Sequence, residues 1–270
     1  MSRKRAKPAK PGNRAGAASG VRLDQRLVDD GLVESRAQAQ ALILSGDVLV
    51  DDTPVEKAGT RISAESAVRV RGNRSKFVSR GGEKLAGALA DFAIDPTGLH
   101  CLDIGASTGG FTDCLLQAGA ASVVAVDVGY GQLHPKLRDD KRVTVHERTN
   151  ARELTGRHVL SPVDLAVFDA SFISLRLLLS PVSKVAPRAR VLALVKPQFE
   201  VGRERVGKGG VVRDDADRLA AVEQVAGSAA ELGYVEIARA DSVLAGPKGN
   251  REIFLYLRPE ADDEASTGAG

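Results

Sequence analysis

Cys101-Leu-Asp-Ile-Gly105-Ala-Ser-Thr-Gly109-Gly110-Phe-Thr-Asp-Cys-Leu-Leu-Gln117-Ala-Gly119-Ala-Ala-Ser122-Val-Val-Ala-Val126-Asp127 is the stretch that decides the fold. A short apolar strand through Cys101, Leu102 and Ile104 stops at a glycine-rich turn, Gly105 to Gly110. The spacing then predicts a helix over residues 111–117, stopped by Gly119, and a second strand over Ser122–Val126 that ends in Asp127. Such a β-loop-α-β unit brings bare backbone against a ligand at a helix N-terminus. Asp127, about twenty residues after the loop, is placed to take ribose hydroxyls. The dinucleotide spacing G-x-G-x-x-G is broken, because Ser107 stands where its middle glycine belongs. With Asp103 just before the loop, the pattern suits S-adenosylmethionine: Gly105 leaves room for the methionine part, and the helix amides suit its carboxylate. Asp103, Gly105, Ala106, Ser107, Thr108, Gly109, Gly110 and Asp127 are therefore the expected cofactor residues, with Asn150 in Glu147-Arg-Thr-Asn-Ala-Arg152 on the adenine side.

Outward from this unit, strands and helices alternate: a strand at Leu165–Phe168, a helix over 175–185, a strand over 191–195, a helix over 218–232 and a last strand over 253–257. A further helix over 83–92 precedes the unit. The alternation predicts an α/β, doubly wound, mostly parallel Rossmann-like sheet spanning 81–258. Residues 21–70 read as a separate small α+β module. Leu23, Leu27 and Val28 share a helix face stopped by Gly31, and Ser35 with Gln38 forms a capping box before a second helix that Gly46 ends. Strand-like pieces follow at Val48–Val50 and 67–70, with Asp51-Asp52 as a turn.

The chain has 270 residues, 43% hydrophobic and 4% aromatic, with a net charge of only +3, enough aliphatic material for one substantial domain and a small one. The charge is uneven. Residues 1–20 are basic and rich in Pro, Gly and Ala, residues 71–80 form a basic linker, and residues 259–270 are acidic; both tails are expected to be disordered. Two cysteines, Cys101 and Cys114, suit neither a disulfide scaffold nor a zinc site, which fits a reducing cytoplasm. His100, His134, His146 and His158 have no metal-ligand spacing, so no metal is expected. No apolar run reaches the roughly 18 residues of a membrane span and the N-terminus lacks a signal peptide's apolar region, so a cytoplasmic monomer away from membranes is expected.

Three segments fall where loops leave the carboxyl ends of sheet strands, the place where α/β folds bind substrates. They are Asp169-Ala-Ser-Phe-Ile-Ser-Leu175, Lys196-Pro-Gln-Phe-Glu200 and Gly249-Asn-Arg-Glu252; a fourth, Ser79-Arg-Gly-Gly-Glu-Lys84, opens the first helix of the large domain. The order Lys84, Asp169, Lys196, Glu252 around the glycine loop is similar to the catalytic tetrad of FtsJ/RrmJ-type ribose 2′-O-methyltransferases. The four phrases, with Gly-Ala-Ser-Thr-Gly-Gly-Phe, resemble the TlyA family, whose members carry hemolysin names and are understood as ribosomal-RNA cytidine-2′-O-methyltransferases. Arg22-Leu-Asp24, Ser35-Arg-x-x-Ala39 and Gly46-Asp-Val-Leu-Val-Asp51 resemble the S4 RNA-binding domain. Together these likenesses cover roughly residues 21–258.

The resemblance implies transfer of a methyl group from S-adenosylmethionine to a cytidine 2′-oxygen of ribosomal RNA, with Lys196 as general base and Lys84 as a neighbouring cation. A ribose hydroxyl is a weak acid, so the reaction needs deprotonation and alignment, and a lysine serves as base only when desolvation or a nearby cation favours its neutral form. Asp169 and Glu252 would orient the ammonium groups. Arg22, Arg26 and Arg36 match the basic S4 positions, and Arg71, Arg74, Lys76 and Arg80 of the linker are further RNA contacts, chiefly to phosphates. Arg203, Arg205, Lys208 and Arg213 lie in a Gly- and Arg-rich loop over 200–214 that could grip RNA as well. After Arg258 nothing repeats at helical spacing, so the additional C-terminal helix of the family's dual-target type is not expected, and 23S RNA in the 50S particle is the expected substrate, with 16S RNA in the 30S particle as the wider alternative. Two other classes fit the sequence less well. A membrane-active cytolysin needs an amphipathic or apolar segment that the chain does not display, and a non-catalytic RNA-binding protein has no use for an intact donor loop and all four tetrad residues. The Asn/Asp-Pro-Pro-aromatic motif of amino-group methyltransferases is replaced by Asp169-Ala-Ser-Phe, and neither cysteine follows a proline as a carbon-5 nucleophile would.

Overall fold

A computed structural model describes residues 20–33, 35–70, 76–159, 161–246 and 248–260. Both tails, apart from Gly20, Pro259 and Glu260, and the linker residues Arg71 and Arg74 lie outside the described residues.

The small N-terminal module contains β1 (Val21–Arg22), α1 (Leu23–Asp29), α2 (Arg36–Leu44), β2 (Val48–Val50), β3 (Thr53–Pro54), β4 (Arg61–Ile62) and β5 (Val68–Val70). Its punctuation follows the sequence. Gly31 takes φ +68 and Leu32 donates back to Leu27, closing α1, while the Ser35 side chain accepts from the Gln38 amide at 3.2 Å to start α2. Asp51 and Asp52 both take positive φ in the two-residue turn between β2 and β3, and β2 pairs β5 on its other edge. Leu23, Leu27, Ile43 and Val48 are wholly buried in a core of their own.

The large module follows with α3 (Arg80–Asp91), β6 (His100–Ile104), α4 (Gly110–Gln117), β7 (Ser122–Val126), α5 (Pro135–Arg138), β8 (Val143–His146), β9 (Leu165–Phe168), α6 (Arg176–Val185), β10 (Arg190–Val195), α7 (Pro197–Glu200), α8 (Asp215–Ala230), β11 (Tyr234–Asp241) and β12 (Ile253–Pro259). The sheet order is β11-β12-β10-β9-β6-β7-β8. The five strands from β10 to β8 run parallel, and β12 and β11 close the other edge antiparallel. From β6 the chain winds one way through β7 and β8, then returns to the other side of β6 for β9 and β10. The crevice between β6 and β9 is thus the switch point of a doubly wound sheet. Continuous apolar strands such as Leu165–Phe168, buried along their whole length, need helices on both faces. Leu178, Val182, Val222 and Val225 cover one face, and Leu85, Leu89, Phe111 and Leu115 cover the other. Among the described residues no helix is long and apolar enough to cross a membrane. Cys101 and Cys114 are buried free thiols, each pushed up to about 12 by burial.

Several expected boundaries move. The end of the linker belongs to the large module: Phe77 is buried, and the Val78 amide donates to Asp113 at 2.8 Å. Helix α3 begins at Arg80, a turn before residue 83, and α8 begins at Asp215, where Asp214 accepts from the Ala216 amide at 2.7 Å. Strand β12 runs on to Pro259, so the expected domain end at 258 falls inside it. The sheet also holds β8 and β11, two strands beyond those expected from the sequence.

Candidate active site

The glycine loop leaves β6 at the switch point. Gly105 takes φ +87, and a Cβ added there would stand 2.9 Å from the Ala170 Cα, so only glycine lets the loop pass the end of β9. Gly109 caps α4 in the left-handed conformation. At Gly110 a Cβ would collide with the Ser79 hydroxyl, which explains how α3 and α4 bring their N-termini together. The loop is held from the side by Asp127. Asp127 accepts from the Ser107 amide at 2.8 Å and the Gly129 amide at 2.6 Å.

Asp103 departs from its expected role. It is fully buried and its Oδ2 accepts from the Thr112 amide (3.0 Å) and hydroxyl (2.7 Å), tying β6 to α4 rather than lining the ligand surface. Burial, with Asp169 and Asp127 adding to it and Thr112 opposing, pushes its carboxyl up to about 7. Asn150 also sits apart: its Oδ1 accepts from the Arg152 amide at 3.1 Å, capping a short 3₁₀ turn, and it lines neither cavity described below.

The tetrad residues come together as two ion pairs, one buried and one partly buried. Lys84 Nζ, on α3, lies 2.6 Å from Glu252 Oε2, just before β12; Lys196 Nζ, after β10, lies 2.6 Å from Asp169 Oδ1, after β9. Sheet register brings the second pair to the same end of the sheet, because β9 and β10 run parallel and pair through Phe168 and Ala193. The motif phrases hold one another too. Glu200 accepts from the Ser174 hydroxyl (2.5 Å) and the Leu175 amide (2.8 Å), fastening the Lys196 phrase to the Asp169 phrase. Burial raises the Glu200 carboxyl above its ordinary value, against those bonds. Asn250 accepts from the Val212 amide and donates to the Gly210 carbonyl oxygen, pinning the Gly-rich loop beside Glu252.

Both ion pairs open into a cavity of about 590 Å³ whose walls include the loop from Gly105 to Thr108 and Gly110. Leu44, Ser45, Glu56 and Lys57 of the small module form part of its rim. A much smaller cavity adjoins it through Ala106 and Ser107 and reaches Asp127, Gly129, Gln132 and Glu147. The pair makes an elongated site with helix-N-terminal amides in the middle, an acidic acceptor at one end and two lysines at the other. An adenosyl sulfonium amino acid has the matching sequence of groups, so the residues present fit that donor. Gln132, Glu147, Ser171, Phe172 and Gln198 line these cavities without having been singled out from the sequence. Phe172 is 90% exposed at φ +66, its ring 5.2 Å from Phe199. An exposed phenylalanine in a left-handed conformation is a strained arrangement that the surroundings must maintain.

The expected RNA contacts divide. Arg22 makes a bidentate pair with the buried Asp24, which Arg36 and Gln40 also join. Those bonds, the Arg22 bond foremost, hold the Asp24 carboxyl well below the usual range. Arg22 and Arg36 remain about half exposed. Arg26 is committed to Asp30 and the Ala64 carbonyl oxygen. Arg80 reaches the rim of the large cavity, and Lys76 lies over the Phe77 ring at 5.5 Å. In the Gly-rich loop Arg203 and Arg205 form a 3₁₀ turn, and Arg205 pairs with Asp217.

Residues 77–259 match the FtsJ-like methyltransferase family and residues 21–68 match the S4 domain. The 16S/23S rRNA (cytidine-2′-O)-methyltransferase TlyA of Mycobacterium tuberculosis is 51% identical over 244 residues, 90% of this chain and 91% of its own. The 23S rRNA (cytidine-2′-O)-methyltransferase TlyA of Campylobacter jejuni is 38% identical over 181 residues, 67% of this chain and 70% of its own. A solved structure from Streptococcus thermophilus, carrying a provisional hemolysin label, superposes with a TM-score of 0.69 at 38% identity over 90% of each chain.

Proposed function

The chain belongs to the TlyA family of FtsJ-like methyltransferases with an S4 domain, and from that premise we propose that it methylates the 2′-hydroxyl of a cytidine in ribosomal RNA, with S-adenosylmethionine as donor. The observation that carries the reading is the pair of lysine–carboxylate contacts opening beside the glycine loop into one cavity. Asp127 would accept from the donor's ribose hydroxyls, and the amides at the start of α4 would take its carboxylate. The bound donor supplies an electrophilic methyl group on a sulfonium.

The remaining work falls to the chain. Lys196 accepts the proton of the ribose 2′-hydroxyl, making the oxygen a competent nucleophile. Asp169 holds Lys196 in place and Glu252 holds Lys84, which lends a positive charge to the side of the cavity where negative charge develops. Phe172 offers an open aromatic face at the cavity mouth, and unpaired RNA bases stack on such faces. Arg22 and Arg36 grip phosphates, and the S4 residues on the cavity rim place the bound RNA over the chemistry. Following this division of labour, residues 21–70 are the RNA-holding domain and residues from 77 onward the catalytic one.

23S RNA is the substrate common to both curated relatives' names, and it is the substrate proposed here. A second reading adds 16S RNA, favoured by the higher identity and fuller coverage of the two-subunit relative. Tritium-labelled methyl transfer to separated 50S and 30S particles, followed by mapping of the modified nucleotide, tests both. A labelled cytidine 2′-oxygen in 23S RNA supports the proposal, label in the 30S particle adds the second reading, and absence of label from both refutes it.

A further inference from the structure

Lys196 has one partner that the tetrad does not account for. Its Nζ donates to the Asp169 main-chain carbonyl oxygen at 3.1 Å and to Ser171 Oγ at 2.9 Å. The Asp169 carboxylate stands nearer, at 2.6 Å, but off the hydrogen-bonding direction, so Asp169 Oδ1 is buried without a hydrogen-bond partner among the described residues. A lysine nitrogen is tetrahedral: one position holds Cε and three remain for hydrogens or a lone pair. Two directed bonds, to the carbonyl oxygen and the hydroxyl, fix rotation about the Cε–Nζ bond and therefore fix the third position. A neutral amine keeps both of those bonds through its two N–H groups, and its lone pair occupies what is left. Lys196 lines the large cavity, so that remaining position is what it has for a substrate.

Ser171 has no other evident reason to be there. It is an exposed residue, and its hydroxyl adds little to a core. The next residue, Phe172, takes φ +66, a turn that sends its ring to solvent and leaves Ser171 facing Lys196. Strain of this kind persists where surrounding structure enforces it, and it clusters at functional sites.

We propose that Ser171 is a positioning residue for methyl transfer: its hydroxyl, together with the Asp169 carbonyl, sets the rotation of Lys196 Nζ so that the base's lone pair faces the ribose 2′-hydroxyl. The inference rests on the general-base reading of Lys196. In the step it serves, the proton passes from O2′ to Nζ while the oxygen's electron pair bonds the methyl carbon, and the donor sulfur keeps the pair of the broken C–S bond. The charged groups around this centre are Asp169, against Nζ, and on the other cavity walls Lys84, Glu252, Arg80, Lys248, Glu56 and Lys57. Substitution at 171 alters none of them.

The test compares S171A and S171T with the unaltered protein on the same ribosomal particles at saturating donor. In S171A, kcat is expected to fall roughly tenfold or more, as misorientation of a reacting group does, with KM for the particle and donor affinity unchanged. S171T keeps the hydroxyl and restores kcat. Unchanged kcat in S171A would overturn the proposal, as would equal losses in S171A and S171T, the mark of a merely structural residue. Turnover surviving Lys196→Ala refutes the base reading instead; a dead Lys196→Ala beside a normal S171A refutes only the role of Ser171.

Discussion

Lys84 Nζ and Glu252 Oε2 meet at 2.6 Å across 168 residues of sequence, and both side chains are almost wholly buried. Two full charges inside a protein are stable only as a pair, so this contact joins the first helix of the large domain to its last strand. Replacing Lys84 by alanine strands the Glu252 carboxylate, whose other oxygen already has no partner among the described residues. Lys84→Ala is expected to lose about 3–5 kcal/mol in urea unfolding, and Lys84→Ala with Glu252→Ala to recover most of it. A single variant as stable as the original would show that the pair is open to water.

Asp103 makes stability depend on pH in an unusual direction. Its folded carboxyl is raised to about 7 from 3.8, so its protonated form favours the fold below the unfolded value, and that contribution is lost as pH rises through 7. Asp103→Asn keeps the acceptor for Thr112 and carries no charge. It should gain on the order of 1 kcal/mol or more at pH 8 relative to the unaltered protein, and much less at pH 4. Urea midpoints at the two pH values decide it; the same difference at both contradicts the assignment.

Asp127 accepts from two loop amides and lines the smaller cavity. Asp127→Ala removes a charged acceptor and slackens the glycine loop together, so donor affinity by calorimetry should fall by roughly 1–3 kcal/mol. Unchanged affinity would remove Asp127 from the site.

Phe172 carries little of the fold, being 90% exposed, so Phe172→Ala should leave thermal stability within about 0.5 kcal/mol. Lost base stacking, worth about 1–3 kcal/mol, should appear in kcat/KM for ribosomal particles and not in donor binding. Full activity in Phe172→Ala would leave the aromatic face without a role.

What the sequence shows and what it hides follows a physical line. The glycine loop, the parallel strands and the four charged tetrad residues are legible because each is local: an apolar run, a turn residue, a charge at a strand end. Strand β11 escapes because it lies at the sheet edge, where Glu236 and Arg239 interrupt the apolar alternation with their own ion pair. Strand β8 is four residues long and only partly buried. Asp103 reads as a ligand residue from its place beside the loop, yet its side chain turns inward to Thr112. Ser171, Gln132 and Glu147 acquire meaning only through partners that the fold brings up from elsewhere, and no periodicity announces such contacts. The arginines of the small module were readable as basic positions, but the buried Asp24 that fixes two of them was not.

The central claim is that Lys196 takes the ribose proton, and single-turnover methyl transfer by Lys196→Ala tests it most directly. The variant is assayed on 50S particles with labelled donor, with donor affinity and particle binding measured alongside. Loss of methylation with both affinities retained is predicted, because the residue acts in the transition state and contributes little to ground-state binding. Methylation at a near-normal rate would contradict the account.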